Sequence, residues 1–443
     1  MDIVGNLPQE ISQHVLSFLT PTELFKCFHV CKKWYNLANT DFLWKRHCVL
    51  ELLLSADTNI PLSSSNGPLC KWGSIYRSFK RKVNRWEHDC AQCFNVTLSS
   101  LNSVIAFGEL SFVVYYFLPL ESHLEKLYVY RLCEEKVNCE QIIELELPGR
   151  GIVQLITNDI YTLVSRDNFI LCFKKTPEKH ITYVAICLRS GVLEYTTEDI
   201  ICFINAKSCL DRELNIRELC NSYLWFEDSS KTIHVFNLET NEFLKISPLQ
   251  EMKRMCNLIT TWSESEVIVY SPGGEVLLNL PIDYVQDVFL NKTTLACLHP
   301  AKGQHTRVLQ TFDVKSGEKL MQKNVMRFAD ITLHSSYDSI YILERSSRDL
   351  YRVSSLCART GQIQWNVSLP NMFYNLWPAI LHVVSYKHLF VWPCNNRTDR
   401  YSIFNLKTGK MLYASSNTGS IQYINEGVCI SVDGKVVHIK SFL

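Results

Sequence analysis

The chain has 443 residues, 47% of them hydrophobic and 20% charged, with a formal net charge of +1. That leaves room for a small domain beside a large one and excludes a disordered or fibrous chain. So even a balance gives the whole molecule no electrostatic pull toward nucleic acid or an anionic membrane. Met1 to Asn6 carry no basic-then-apolar signal, and the longest apolar runs, such as Phe112 to Leu120, are strand-sized rather than membrane-spanning. Many of the eighteen cysteines sit inside apolar runs, for example Cys172, Cys202, Cys297 and Cys429. They read as free thiols packed like small hydrophobes, which fits a reducing cytoplasmic or nuclear setting.

Residues 7–48 spell three short helices. Leu7-Pro8 opens the first, with Pro8 where its fixed φ suits a first turn. Ile11, Val15, Phe18 and Leu19 recur at helical spacing, and Leu16 widens the apolar face. Thr20-Pro21-Thr22-Glu23 stops that helix and starts the next as a capping box. Leu24, Phe28, Cys31 and Trp34 line the second helix, flanked by Phe25, Cys27, Val30 and Leu37. Asn39-Thr40-Asp41 supplies cap residues for a short third helix with Phe42, Leu43 and Trp44, and Leu50 to Leu54 extends it or begins a fourth.

The apolar content of this segment exceeds what so small a domain can bury alone. Two readings stay open on pattern: the helices dock on the rest of their own chain, or they keep an apolar patch for a partner helix.

The order Leu7, Pro8, Glu10, Ile11, Val15, Leu16, Leu19, Leu24, Val30, Cys31, Lys32, Trp34, Leu37, Ala38, Leu43, Trp44 resembles the F-box at every main anchor position. The resemblance implies a helical domain over residues 1–54 that binds the Skp adaptor and, through it, a cullin–RING ligase core. The implied adaptor contacts are Leu7, Pro8, Ile11, Val15, Leu16, Leu19, Leu24, Val30, Cys31, Trp34, Leu43 and Trp44.

Residues 55–68 are rich in Ser, Asn, Pro and Gly and read as a flexible connection. The helix that follows has a clean stripe of Trp72, Ile75, Tyr76, Phe79, Val83 and Trp86. Its other face holds Lys71, Arg77, Lys80, Arg81, Lys82 and Arg85, with no acid until Glu87. A solvated connecting helix accounts for that face more simply than a nucleic-acid contact. Trp72, Tyr76, Asn84 and Trp86 also resemble the linker helix of F-box proteins that end in a WD-type propeller, which assigns residues 55–89 to a linker.

From residue 90 to 443 short apolar strands follow one another, separated by turn residues. Similar hairpins begin at Ile233, Val308, Leu350 and Arg400, with weaker copies at Thr182 and Leu127. Their spacing is that of propeller blades, and two further strands fit between copies. The tally is eight blades, with seven the runner-up. The doubt comes from 256–283, which reads as a strand short, and from 152–175, which reads as holding an extra hairpin. The last hairpin, turning at Asp433-Gly434, lacks an outer strand that Phe94 to Leu98 could supply. The Gly-His and Trp-Asp marks of WD repeats are missing, so the expected fold is α+β multidomain: a three-helix F-box, a linker helix, and an all-β, degenerate WD-repeat-like propeller.

No catalytic motif is present, and Cys90 and Cys93 with His88 make too few ligands for a structural zinc. Neither metal nor cofactor is expected, nor an enzyme. In a propeller the loops joining second to third strands share one face; here they are 227–231, 301–307, 345–349 and 395–400. They hold Lys231, Arg307, Arg345, Arg348, Arg397 and Arg400, which would suit an acidic or phosphorylated client. Asp228, Asp349 and Asp399 dilute that signal.

The resemblance therefore implies a non-catalytic substrate-recognition subunit of an SCF-type cullin–RING ubiquitin ligase. One alternative is an adaptor-bound scaffold that delivers nothing for ubiquitylation; another, a propeller enzyme with an incidental helical appendage, is disfavoured by the missing catalytic constellation.

Overall fold

The computed structural model describes Asp2 and residues 4–52, 69–98, 103–108, 111–116, 125–132, 136–145, 153–158, 160–166, 169–174, 182–187, 215–227, 232–240, 242–246, 251–255, 257–301, 306–326, 329–333, 338–345, 351–369, 379–385, 387–393, 400–416, 419–425 and 427–442.

Helix α1 spans Gln9–Leu16, with Pro8 as its N-cap. Helix α2 spans Pro21–Cys27 and starts as expected: Thr20 Oγ1 accepts from the Glu23 amide while Glu23 Oε2 accepts from the Thr20 amide at 2.8 Å. The second helix is not continuous, however. The backbone becomes fully extended at Cys31 (φ −166°, ψ 168°), and a separate α3 runs over Lys32–Ala38. Helical spacing through Phe28, Cys31 and Trp34 hid that break, because both helices turn an apolar side to the same core. Helix α4 runs over Asp41–Leu52, longer than the short third helix expected. Asn39 and Asp41 reach away from it: their side-chain oxygens accept from the Cys70 and Trp72 amides at 2.7 and 2.9 Å.

Those two bonds fasten the start of α5 (Lys71–Glu87) to the helical domain. Its apolar stripe completes that domain's core. Trp72, Ile75, Tyr76 and Val83 pack with Leu16, Leu24, Leu37, Ala38, Leu43 and Trp44. Trp44 sits at the centre with no exposure, its indole donating to the Ala38 carbonyl at 3.0 Å and its ring 4.6 Å from Phe25 and 5.4 Å from Tyr76.

Beyond α5 every described element is a strand, and the strands form eight four-stranded antiparallel sheets. Seven are runs of four consecutive strands, spanning 103–145, 153–187, 215–246, 251–280, 287–326, 330–368 and 379–416. The closing sheet combines the last three strands with Gln92–Thr97, which pairs antiparallel to Val436–Ser441 with Phe94 opposite Ile439. The start and end of the ring are thus joined by backbone hydrogen bonds, as the final hairpin suggested. Each sheet shares an apolar core with the next: Val113 and Tyr115 with Val153 and Val164, Leu163 with Leu224, and so on round to Phe112 and Val114 with Ile430 and Ile439. No one sheet could bury both its faces alone, and closing the ring leaves no sheet without a neighbour.

The two ambiguous stretches resolve on physical grounds. The sheet over 251–280 takes its first strand from Glu251–Met255, a charged, half-exposed segment that carries little strand signal. Among the described residues the stretch 152–175 holds three strands of the second sheet, Val153–Thr157, Tyr161–Arg166 and Phe169–Lys174, and no extra hairpin. Of the hairpin expected from Thr182 only the first strand is described. Thr182–Cys187 is the outer strand of the second sheet, paired with Phe169–Lys174, and the remainder of that stretch lies outside the described residues. Turns between third and fourth strands share one device. Asn237, Asp313 and Asn405 accept the amides two and three residues on, and Gly317, Gly361 and Gly409 take up positive φ near +70°.

Buried cysteines occur where the apolar runs placed them. Cys172, Cys297 and Cys429 are buried, and burial pushes the Cys297 thiol up to about 12; Cys202 lies outside the described residues.

Candidate partner-docking site

Burial divides the twelve residues expected to touch an adaptor into two sets. Leu16, Leu24, Leu43 and Trp44 are at most 1% exposed and belong to the core just described. Their work is to hold the helices in register, so as direct contacts they are corrected. Pro8, Ile11, Val15, Val30 and Cys31 face solvent, and Leu7, Leu19 and Trp34 are half-buried. The Trp34 indole donates to Asp2 Oδ1 at 2.9 Å, and that bond holds the Asp2 carboxyl below the usual carboxylate range.

On α1 and just beyond it, Ile11 (50% exposed), Val15 (40%) and Phe18 (73%) stand at i, i+4 and i+7, one helical face open to water. The face is held from behind. Ser12, fully buried, donates to the Val4 carbonyl at 2.7 Å, and Arg46 Nη1 donates to the Ser17 carbonyl at 2.9 Å. Phe18 and Phe42 (65%) were not among the expected contacts, although Phe18 completes the Ile11–Val15 spacing and could have been found from it. A monomer gains nothing by showing such side chains at helical spacing, so the arrangement is one that a partner helix or groove can cover.

This corner of the fold also matches known sequences. A family model described as F-box-like matches residues 4–50. The chain carries an F-box-like domain at its N-terminus, followed by a WD-repeat-like propeller. It is 41% identical over 49 residues to F-box only protein 16 of Homo sapiens, covering 11% of this chain and 17% of that one. It is 29% identical over 166 residues to F-box/LRR-repeat protein 5 of Xenopus tropicalis, with 35% and 25% covered. Against F-box/WD repeat-containing protein pof1 of Schizosaccharomyces pombe it is 31% identical over 88 residues, with 19% and 14% covered. The chain thus spans a quarter or less of each relative's length.

The expected client face of this F-box protein is only partly described. Lys231, Arg348 and Arg397 lie outside the described residues. Arg345 and Arg400 stand at strand ends, at the end of a second strand and the start of a third, and Arg307 is the second residue of a third strand, half-buried. These positions do flank loops between second and third strands. Other cations near the same ends meet carboxylates: Arg217 with Glu227, Lys253 with Asp287 at 3.0 Å, Arg352 with Glu344 at 3.1 Å. Among the described residues, then, these three cations are paired with carboxylates. Among the described residues no group of three metal-type ligands occurs; Cys90 and Cys93 are exposed free thiols. No described helix is long and apolar enough to cross a membrane.

Proposed function

We propose that this F-box protein is a substrate-recognition subunit of an SCF-type cullin–RING ubiquitin ligase. Its helical domain docks on the Skp adaptor and its propeller holds a client protein. The observation that carries the reading is the open Ile11–Val15–Phe18 face of a helical domain whose central residues, Leu16, Leu24, Leu43 and Trp44, are buried. The exposed Pro8, Val30, Cys31 and Phe42 are proposed to extend that contact. In this role the chain makes and breaks no bonds. It raises the rate of ubiquitin transfer by holding a client near chemistry that belongs to other subunits, an effect of proximity.

The propeller supports the second half of the reading by its architecture, which offers loops from every sheet on one face. The test is co-purification of the full chain with a Skp adaptor and its loss on changing Ile11 and Val15 to Glu, with the melting curve unmoved. Retained binding would refute the docking face. A chain that binds adaptor but whose depletion leaves every protein's half-life unchanged would be a scaffold rather than a receptor.

A further inference from the structure

We infer that Tyr284, with the carboxylates of Glu264 and Asp283, forms a seat on the loop face of the propeller for an arginine- or lysine-bearing segment of a client protein. The inference rests on the propeller holding a client, as proposed above, and names the chemistry of what it holds. Residues 281–286 connect the outer strand of the fourth sheet, Val276–Leu280, to the first strand of the fifth, Asp287–Leu290. Strands alternate in direction. This connection therefore lies on the same side of the ring as residues 263–266, the loop between the second and third strands of the fourth sheet.

The two loops are fastened to each other and to the core. The Tyr284 amide donates to the Glu264 carbonyl and the Gln286 amide to the Leu298 carbonyl, each at 2.8 Å. Buried His299 holds the same connection, its Nδ1 3.2 Å from the Asp283 carbonyl. Ile282 and Val285 pack against the core between the two sheets. Tyr284 is nevertheless 68% exposed, on a backbone at φ +56° that a bulky residue rarely takes. Asparagine or glycine would hold that conformation with less strain, so folding alone does not select an aromatic there. A tyrosine shown on a fixed loop offers a large contact area that loses little conformational freedom when covered.

Charge selects the occupant. No Lys or Arg occurs from Met255 to Asn291, whereas Glu264, Glu266, Glu275, Asp283 and Asp287 all fall in that stretch. Lys253 meets Asp287 at 3.0 Å, and Glu266 accepts from Asn279 Nδ2 at 3.2 Å. Glu264 and Asp283 are exposed, and among the described residues no cation pairs with either, Arg307 of the fifth sheet included. A guanidinium or ammonium laid on the Tyr284 ring is attracted by its electron-rich face, and the two carboxylates can accept its N–H groups. Nucleic acid fits less well, because its phosphates would meet the same carboxylates. A purely apolar segment would cover those carboxylates and give them no partner.

The experiment uses the full-length chain and a fluorescein-labelled peptide of alternating Arg and Ser, read by anisotropy across a salt series. Wild type is expected to bind, more weakly as salt rises. Tyr284→Asn, which suits the positive φ, should lower affinity about tenfold with no fall in melting temperature. Tyr284→Phe keeps the ring and should bind within about twofold of wild type. Glu264→Gln with Asp283→Asn should also lower affinity about tenfold and flatten the salt dependence. No binding, or a Tyr284→Asn chain that binds within about twofold of wild type, overturns the proposal. So does tighter capture, through Tyr284, of an oligouridine or of a Leu-Ser peptide of the same length. Proteins that accumulate on depletion of a chain that ignores the Arg-Ser peptide would leave the receptor reading standing and sink this seat alone.

Discussion

Replacing Ile11, Val15 and Phe18 together by alanine tests the docking face most directly. The three are 50%, 40% and 73% exposed, the equivalent of about one and a half open side chains. Covering a side chain of this kind fully is worth about 1.5–3 kcal/mol, so an adaptor that seals all three gains about 2–5 kcal/mol from them. Alanine keeps each Cβ, which places the expected loss in the lower half, about 2–3 kcal/mol or roughly 30- to 150-fold in Kd. Titration calorimetry of the purified chain against a Skp adaptor measures it. The melting temperature should stay put, because these groups touch little of their own domain. Leu24→Ala is the contrasting change: fully buried, it should cost about 2–5 kcal/mol of stability whatever it does to binding. A triple variant that binds within about threefold of wild type, equally well folded, would refute the assignment of this face.

Three further changes probe the joint, the ring and its turns. Trp86→Ala removes a ring stacked 3.6 Å from Phe442 and should cost about 3–5 kcal/mol in urea unfolding; an effect near zero would show that the stack does not anchor α5. Asp330, whose carboxyl accepts from the Leu381 amide at 2.6 Å, is pushed up to about 6, chiefly by burial. Its contribution to stability is thus fully present below the ordinary pKa of 3.8 and is lost as pH rises through 6, so stability falls across that window; in Asp330→Asn the fall should be smaller by about 2 kcal/mol, measured by urea unfolding at pH 4 and pH 7. Gly409→Ala places a Cβ in the left-handed region and 2.5 Å from Trp365, so thermal unfolding should show a loss of at least about 1–2 kcal/mol.

Where the sequence was readable, a short-range rule was at work. The Thr20–Glu23 box, the α5 stripe and the Asp433-Gly434 hairpin are each set by residues within a few positions of one another, and each stands where it was expected. The break at Cys31 escaped because helical spacing reports which side is apolar and not whether the backbone stays helical between the apolar residues. Leu16, Leu24, Leu43 and Trp44 were taken for contacts because an apolar side chain reads the same whether it faces a partner or its own core. Only the packing of α5 against the bundle decides between them, and that packing joins residues more than twenty positions apart. The loops between second and third strands follow from strand order, but the ion pairs beside them do not. Arg217, Lys253 and Arg352 meet carboxylates brought from neighbouring strands or the next sheet, pairings that the order of residues does not show.

Helix α5 belongs to two cores at once, and that bears on how a receptor of this kind would work. Its Trp72, Ile75, Tyr76 and Val83 are part of the F-box interior, while Trp86 packs with Val384, Phe390, Tyr401, Ile403 and Phe442 where the seventh sheet meets the closing one. Asp89, just past the helix, takes a hydrogen bond from Ser415, and Lys440 of the last strand donates to Ser415 and to the Tyr401 hydroxyl at 3.3 and 3.2 Å. Bending here would open two packed interiors, so the helix would transmit the orientation of the proposed adaptor face to the ring. A proximity mechanism needs that stiffness, since a client on a loose tether spends most of its time away from the ubiquitin donor. Changes at the Trp86 joint should therefore leave adaptor affinity intact and lower ubiquitin transfer to a bound client, whereas changes at Ile11 or Phe18 should do the reverse to affinity. The two kinds of variant, compared in one reconstituted transfer assay, separate docking from positioning.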